Sequence, residues 1–249
     1  MLKILNVIVV SAFLFSLTSE NFLDEQKRYK RVREAIQEKE EKLKTLLATH
    51  DLKLTAVEIV LVAFKDEGEL QVHAKSRGAN KYKLLKTYPI CRKSGELGPK
   101  RKQGDLQVPE GFYHIDRYNP ASSYHLSLGI NYPNSSDRIK SKATNLGGDI
   151  FIHGECVTIG CLPMTNDKIK EIYLLSIYAH NYGQKEIPVY IFPFKMTEMK
   201  FEYKKIQYGN NKELVDFWKN LKIGYDLFVS NHKTLDFSID SNGDYSFKD

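Results

Sequence analysis

The chain has 249 residues and carries 37 Lys+Arg against 31 Asp+Glu, a net charge of +6. That mild basicity excludes a dedicated nucleic-acid binder, while 42% hydrophobic residues suffice for a substantial core. Three cysteines (Cys91, Cys156 and Cys161) are too few for a disulfide scaffold, and their odd number leaves at least one thiol free or paired between chains.

The N-terminus opens with "MLK", a positive start, followed by an uncharged apolar run from Ile4 to Leu17 and small residues in "LTSE". The layout is that of a secretory signal peptide over residues 1–19, cut after Ser19. The run is shorter than the roughly 20 apolar residues a bilayer span needs; uncleaved anchoring is the alternative. Export places the protein in the periplasm or cell wall.

Asp24 to Leu47 reads as a charged helix with a broken apolar stripe at Tyr29, Val32, Ile36, Leu43, Leu46 and Leu47. Its "KRYKR" cluster reads as a solvated face, with peripheral contact to an anionic wall or membrane as the alternative. From Ala56 the pattern turns to strands: "AVEIVLVAFK" and "ELQVHAK" form a hairpin-like pair, and "KYKLLKTYPI" continues the series. Ser94 to Gly111 is a long loop rich in Gly and Pro. "GFYHIDRY" and "YHLSLGINY" return to alternation, the second placing Tyr124, Leu126, Leu128 and Ile130 on one face and His125 and Ser127 on the other. "NSS" at Asn134 is a glycosylation sequon by pattern alone. "GGDIFIH" is a further strand. Thr165 or Asn166 then caps a helix to about Tyr182, with Ile169, Ile172, Tyr173 and Ile177 inward and Gly183 as the stop. The prolines of "IPVYIFPF", Pro188 and Pro193, confine that strand to an edge or to strand ends. In the last fifty residues, which look like an appendix, Asn210 and Glu213 suggest a capping box. Leu214, Trp218, Leu221, Tyr225 and Phe228 stripe a helix, and "DSNGDY" suggests a short hairpin.

The chemistry concentrates in "FIHGECVTIGCLPM", Phe151 to Met164, and three readings compete. His153, Cys156 and Cys161 have a spacing that can chelate, with Glu155 as a fourth ligand, but no downstream cysteine pair completes a zinc-deaminase pattern. A disulfide is open to Cys156 with either Cys161 or Cys91; otherwise Cys156 is a small packed residue. In the third reading Cys161 is a nucleophile, its thiolate favoured by a following helix N-terminus and by His153 as general base. The N–H groups of Gly160 and Cys161 then face a developing oxyanion.

"HGECVTIGCLPMT" resembles the active-site motif of L,D-transpeptidase catalytic domains, a His-Gly followed by Ser/Thr-x-Gly-Cys, and its short gap is similar to the YafK-type branch. "SGELGPKRKQGDLQVPEGFYHI" and "NPASSYHLSLGINYPNSSD" carry the likeness upstream, over about Ala56 to Phe194. The resemblance implies an α+β, mostly β catalytic domain with flanking helices. The chain then divides into a signal at 1–19, a charged helix at 20–55, the catalytic domain at 56–194 and a helical extension at 195–249. It further implies Cys161 as nucleophile, His153 as base oriented by the Gly154 carbonyl, no metal or cofactor, and peptidoglycan stem peptides as substrate. The thioester would pass to an amine, giving a cross-link or an attachment to a wall-linked protein, or to water. Where the family commonly carries His and Arg, this chain has Ile159 and Pro163; Lys100 or Arg101 then become candidates for the substrate carboxylate, and Tyr113, His114 and His125 for the cleft wall. The rival reading is a wall-binding scaffold with a degenerate catalytic domain.

Overall fold

A computed structural model describes residues 21–248; the expected signal peptide lies outside the described residues. The chain forms an eight-stranded mixed sheet in the order β3-β2-β1-β8-β4-β5-β6-β7, an α+β architecture with helices on both faces.

The central strands explain the two-sided packing. β1 (Val57–Phe64) reads "VEIVLVAF", apolar almost throughout, as a strand covered on both sides must be. Ile59, Leu61 and Ala63 join one core, whereas Val60, Val62 and Phe64 join the other. β2 (Glu69–Ser76) pairs with β1 antiparallel as a hairpin, and β3 (Lys83–Pro89) follows at the edge. β8 (Pro188–Phe192) lies between β1 and β4 (Gly111–Asn119), parallel to the former and antiparallel to the latter. It is therefore central, which corrects the edge reading. Proline is tolerated because Pro188 is the first strand residue and Pro193 follows the last.

The first face is covered by α1 (Phe22–Lys27), α2 (Lys30–Ala48) and α4 (Asn166–Asn181). The expected single N-terminal helix breaks at Arg28–Tyr29. In α2, Val32, Ala35, Leu43 and Leu47 are fully buried, and Lys39 reaches Asp167 and Glu171 of α4. This helix is thus part of the core. In the cluster read as a solvated face, Arg28, Tyr29 and Lys30 are indeed exposed, whereas Arg31 turns inward. The Arg31 Nη1 donates to the carbonyls of Ser122 and His125, and Lys30 pairs with Glu34. Thr165 caps α4, accepting from the Lys168 N–H, and the predicted Ile169, Ile172, Tyr173 and Ile177 are buried.

The second face is covered by α5 (Glu198–Gln207), which sequence periodicity did not reveal, by α6 (Lys212–Asn231) and by the hairpin of β9 (Phe237–Ile239) with β10 (Tyr245–Phe247). The N-cap of α6 is Asn211, one residue after the expected Asn210. The C-terminal segment is not an appendix. Trp218 is buried against Phe194, and its indole N–H donates to the Glu110 carboxylate at 2.8 Å. Glu110, also fully buried, accepts from Lys65 at 2.9 Å and from the Gly98 N–H at 2.7 Å. A buried carboxylate is costly unless its oxygens are met. Here three donors meet them, and they tie β1, the long loop and α6 together. Asn134 caps α3 (Ser135–Lys140), and its amide donates to the Phe112 carbonyl and the Tyr245 hydroxyl, so the sequon asparagine serves the fold. Among the described residues no helix is long and apolar enough to cross a membrane.

Candidate active site

The remaining strands build the site. β5 (Ser127–Ile130) pairs antiparallel with β6 (Phe151–His153), and β6 pairs in parallel with β7 (Leu162–Pro163). The register matches Ile152 to Leu162, so Cys161 comes beside Phe151, with His153 two residues further along β6. Every residue of β5 is buried, which erases the face alternation read from "YHLSLGINY". Tyr124 and His125 precede the strand. Tyr124 is exposed and lays its ring 4.9 Å from the His153 imidazole; His125 adopts a left-handed backbone with φ 69°.

Two glycines are demanded by the local geometry. At Gly160, φ is 131°, and a Cβ would meet the Gln107 carbonyl oxygen at 2.9 Å. At Gly154, a Cβ would stand 2.5 Å from the Asn166 side-chain oxygen and 2.9 Å from the Tyr124 carbonyl oxygen. The chain thus approaches closely on both sides of the site, from the long loop and from the Tyr124 segment.

The Cys161 thiol is half-buried. It accepts from the Phe151 N–H at 3.4 Å, and its S–H points to the Asp149 carbonyl at 3.6 Å. His153 is buried, with Nδ1 2.6 Å from the Gly154 carbonyl oxygen. A carbonyl can only accept, so Nδ1 carries the proton and Nε2 keeps its lone pair. Both side chains line one cleft of about 620 Å³, together with Tyr124, Ser127, Thr158 and Ile159. On its other side Cys161 lines a second cleft of about 200 Å³ with Arg92, Val108 and Leu162.

The electrostatics correct the expectation of a resting thiolate. Burial pushes the Cys161 thiol up; the Phe151 N–H opposes this, Asp149 adds to it and Lys100 works against it. Burial holds His153 below its ordinary value, against the pull of the Gly154 carbonyl and Glu155. At neutral pH the pair is a thiol and a neutral imidazole. The backbone N–H that meets the sulfur is that of Phe151 in β6, while the first-turn Lys168 N–H of α4 is capped by Thr165. The expected oxyanion donors are also engaged: the N–H groups of Cys161 and Gly160 point to the Thr158 hydroxyl oxygen at 2.8 and 3.3 Å. That hydroxyl in turn donates to the Cys161 carbonyl at 2.9 Å.

Cys156 is bridged to Cys91, one of the two pairings left open, and is neither packed nor free. The bridge removes Cys156 from the chelating trio and leaves Cys161 as the free thiol. Lys100, Arg101 and Tyr113, expected at the substrate, are directed elsewhere. Lys100 is buried, with Nζ on Asp105 at 2.6 Å, and acts on Cys161 only through its field. Arg101 pairs with the buried Asp137 at 2.9 Å and covers the Phe217 ring. Tyr113 donates to the other oxygen of Asp137 at 3.0 Å and, with His114, lines a cleft that contains neither Cys161 nor His153. The competing signal was a loop rich in cations; Asp105 and Asp137 neutralise them internally. Sequence reasoning missed Arg92, Tyr124 and Asp149. Arg92 follows Cys91, so choosing the Cys91–Cys156 pairing would have brought it to the motif.

The sequence profile of the L,D-transpeptidase catalytic domain (YkuD) matches residues 71–178. Over 189 residues the chain is 40% identical to the YafK protein of Escherichia coli K12, called an L,D-transpeptidase; the alignment covers 75% of this chain and 72% of that one. This chain belongs to the L,D-transpeptidase catalytic domain family. The YafK protein of Escherichia coli O157:H7 matches to the same extent. Among solved structures, this L,D-transpeptidase-family chain is similar to the helical cell shape determining protein Pgp2 of Campylobacter jejuni. There the TM-score is 0.44 and the identity 19%, over 79% of this chain and 80% of that one. It is also similar to L,D-transpeptidase 1 of Mycobacterium tuberculosis, with a TM-score of 0.31 and 14% identity over 54% of this chain and 62% of that one. The profile match runs from within β2 into α4 and so includes His153, Gly154, Gly160 and Cys161.

Proposed function

We propose that the protein is an exported cysteine acyl-transfer enzyme acting on peptidoglycan stem peptides. The observation that carries this reading is the placement of His153: its Nδ1 proton is held on Gly154, and it shares a cleft with the free thiol of Cys161. Family membership supplies the substrate class. The Cys91–Cys156 bridge supports work outside the cytoplasm, where disulfides persist.

In this reading the Cys161 sulfur attacks a peptide carbonyl while its proton passes to His153 Nε2. Gly154 holds the ring in the tautomer this requires. The tetrahedral intermediate collapses by expelling the amine, which leaves with the proton from the imidazolium. The acyl group remains on sulfur as a thioester. An amine acceptor then gives a cross-link or an attachment to a wall-linked protein; water gives hydrolysis. For the oxyanion to use the N–H groups of Cys161 and Gly160, the Thr158 hydroxyl must turn away from them.

The test is mass spectrometry of purified stem-peptide fragments incubated with the protein. Joined or trimmed stems are expected from the native enzyme and none from Cys161→Ala; His153→Ala should slow turnover by about 10²–10⁴-fold. Unaltered fragments with the native protein, accompanied by binding to the wall that survives loss of the thiol, would establish a scaffold instead.

A further inference from the structure

The two clefts that meet at Cys161 share a second residue, Arg92. Its backbone position is fixed by its neighbour. Cys91 is bridged to Cys156 on one side, and its N–H donates to the Pro163 carbonyl at 3.0 Å on the other. Arg92 is therefore tied to both segments that flank the thiol, the one entering it and the one leaving it. Its side chain is exposed and, among the described residues, makes no hydrogen bond, ion pair or ring contact.

Most of the other charged side chains around the thiol already have partners. In the smaller cleft Lys65 is bound to Glu110, Lys93 to the Asp66 carbonyl, and Asp66 to Lys200 and Lys204. In the larger cleft Asp149 is met by Arg117 at 2.8 Å. Glu96 lines the smaller cleft only, so an anion is disfavoured there and is better met at Arg92 from the side of the larger cleft. A guanidinium offers two parallel N–H donors to a carboxylate, and carboxylates are the anions a stem peptide carries.

We propose that Arg92 is the residue by which this enzyme selects its donor: it grips a free carboxylate of the stem peptide beside the bond that Cys161 attacks. The assignment rests on the acyl-transfer reading given above. It makes Arg92 a specificity-determining residue rather than a catalytic one. Arg92 reads a charge on the substrate, while Cys161 and His153 carry the bond changes.

The test compares two synthetic stem tetrapeptides, identical except that one ends in a carboxylate and the other in a carboxamide. Acylation of Cys161 is followed by intact-protein mass, and KM and kcat are measured for both. The native enzyme should favour the carboxylate about 10-fold or more, chiefly in KM, as expected of one charge-assisted hydrogen-bonded pair. Arg92→Ala should abolish the preference by raising KM for the carboxylate donor. Arg92→Lys, which keeps the charge without the fork, should restore part of it. Acylation with no preference in the native enzyme, or a preference that survives in Arg92→Ala, overturns the role of Arg92 and leaves the acyl-transfer reading standing. Absence of acylation by either donor overturns that reading and this assignment together.

Discussion

His153 donates its Nδ1 proton to the Gly154 carbonyl, so only Nε2 can receive the proton of Cys161. The pH dependence follows from the two directions of shift. Burial lowers the imidazole below its ordinary value of about 6.5. The base therefore stays unprotonated as pH falls through 6.5 and is lost only further down. Burial raises the thiol above its ordinary value of about 8.5, so the thiol remains protonated across neutral pH. A profile of kcat/KM against pH should be flat through neutrality with an acid limb centred below about 6.5; a limb centred above that value would contradict the assignment of His153. At the same scale, Arg101 belongs to the fold. Arg101→Ala strands the buried Asp137 and should cost about 3 kcal/mol in a denaturant titration. KM for the stem peptide should change less than twofold; a large KM increase without loss of stability would return Arg101 to the substrate. Cys161, His153 and Gly160 were legible because their motif is contiguous. Arg92 and Tyr124 were not, because each reaches the site through a partner distant in sequence: Arg92 through the bridge of Cys91 to Cys156, and Tyr124 through His153.

The segment between β6 and β7 carries the thiol and is held at three points. The Cys91–Cys156 bridge fixes its start, the Thr158 hydroxyl gathers its turn, and Gly160 packs beneath the long loop at Gln107. The bridge joins residues 65 positions apart. Loop-closure entropy for that separation is about 4 kcal/mol. The paired substitutions Cys91→Ser and Cys156→Ser should therefore lower Tm by roughly 8–16 °C for a chain of this size. They should also slow acylation more than they slow reaction with a small thiol reagent, because the substrate needs the ordered wall at Val157–Ile159 and the reagent does not. A Tm change under about 2 °C would show that the segment is held without the bridge. Strand elements were legible from their apolar runs, and α4 from its cap and stripe. β7 was not legible: two residues carry no periodicity, and their strand character comes only from pairing with β6. That short strand also sets Cys161 beside Phe151 of β6, whose N–H meets the sulfur.

At the scale of the molecule, the site depends on a sheet packed on both faces. α2 and α4 brace the face from which Arg31 reaches the Ser122–His125 segment that leads Tyr124 to His153. α6 braces the other face through Trp218 and the buried Glu110–Lys65 pair. The sequence pattern showed the amphipathic stripe of α6 but not its partner, because a stripe identifies a buried face without naming what covers it. The same holds for the N-terminal helix, whose charged composition suggested solvent while Lys39 lies buried against α4. The sheet and both helical layers present a single free thiol and a neutral base to one open cleft. The most direct test of that claim is the intact mass of the protein after brief incubation with a stem tetrapeptide. A shift equal to the acyl fragment is expected, located at Cys161, removed by neutral hydroxylamine and absent from Cys161→Ala. Product formation by Cys161→Ala at the native rate, or turnover by the native protein with no adduct trapped on Cys161, would contradict it.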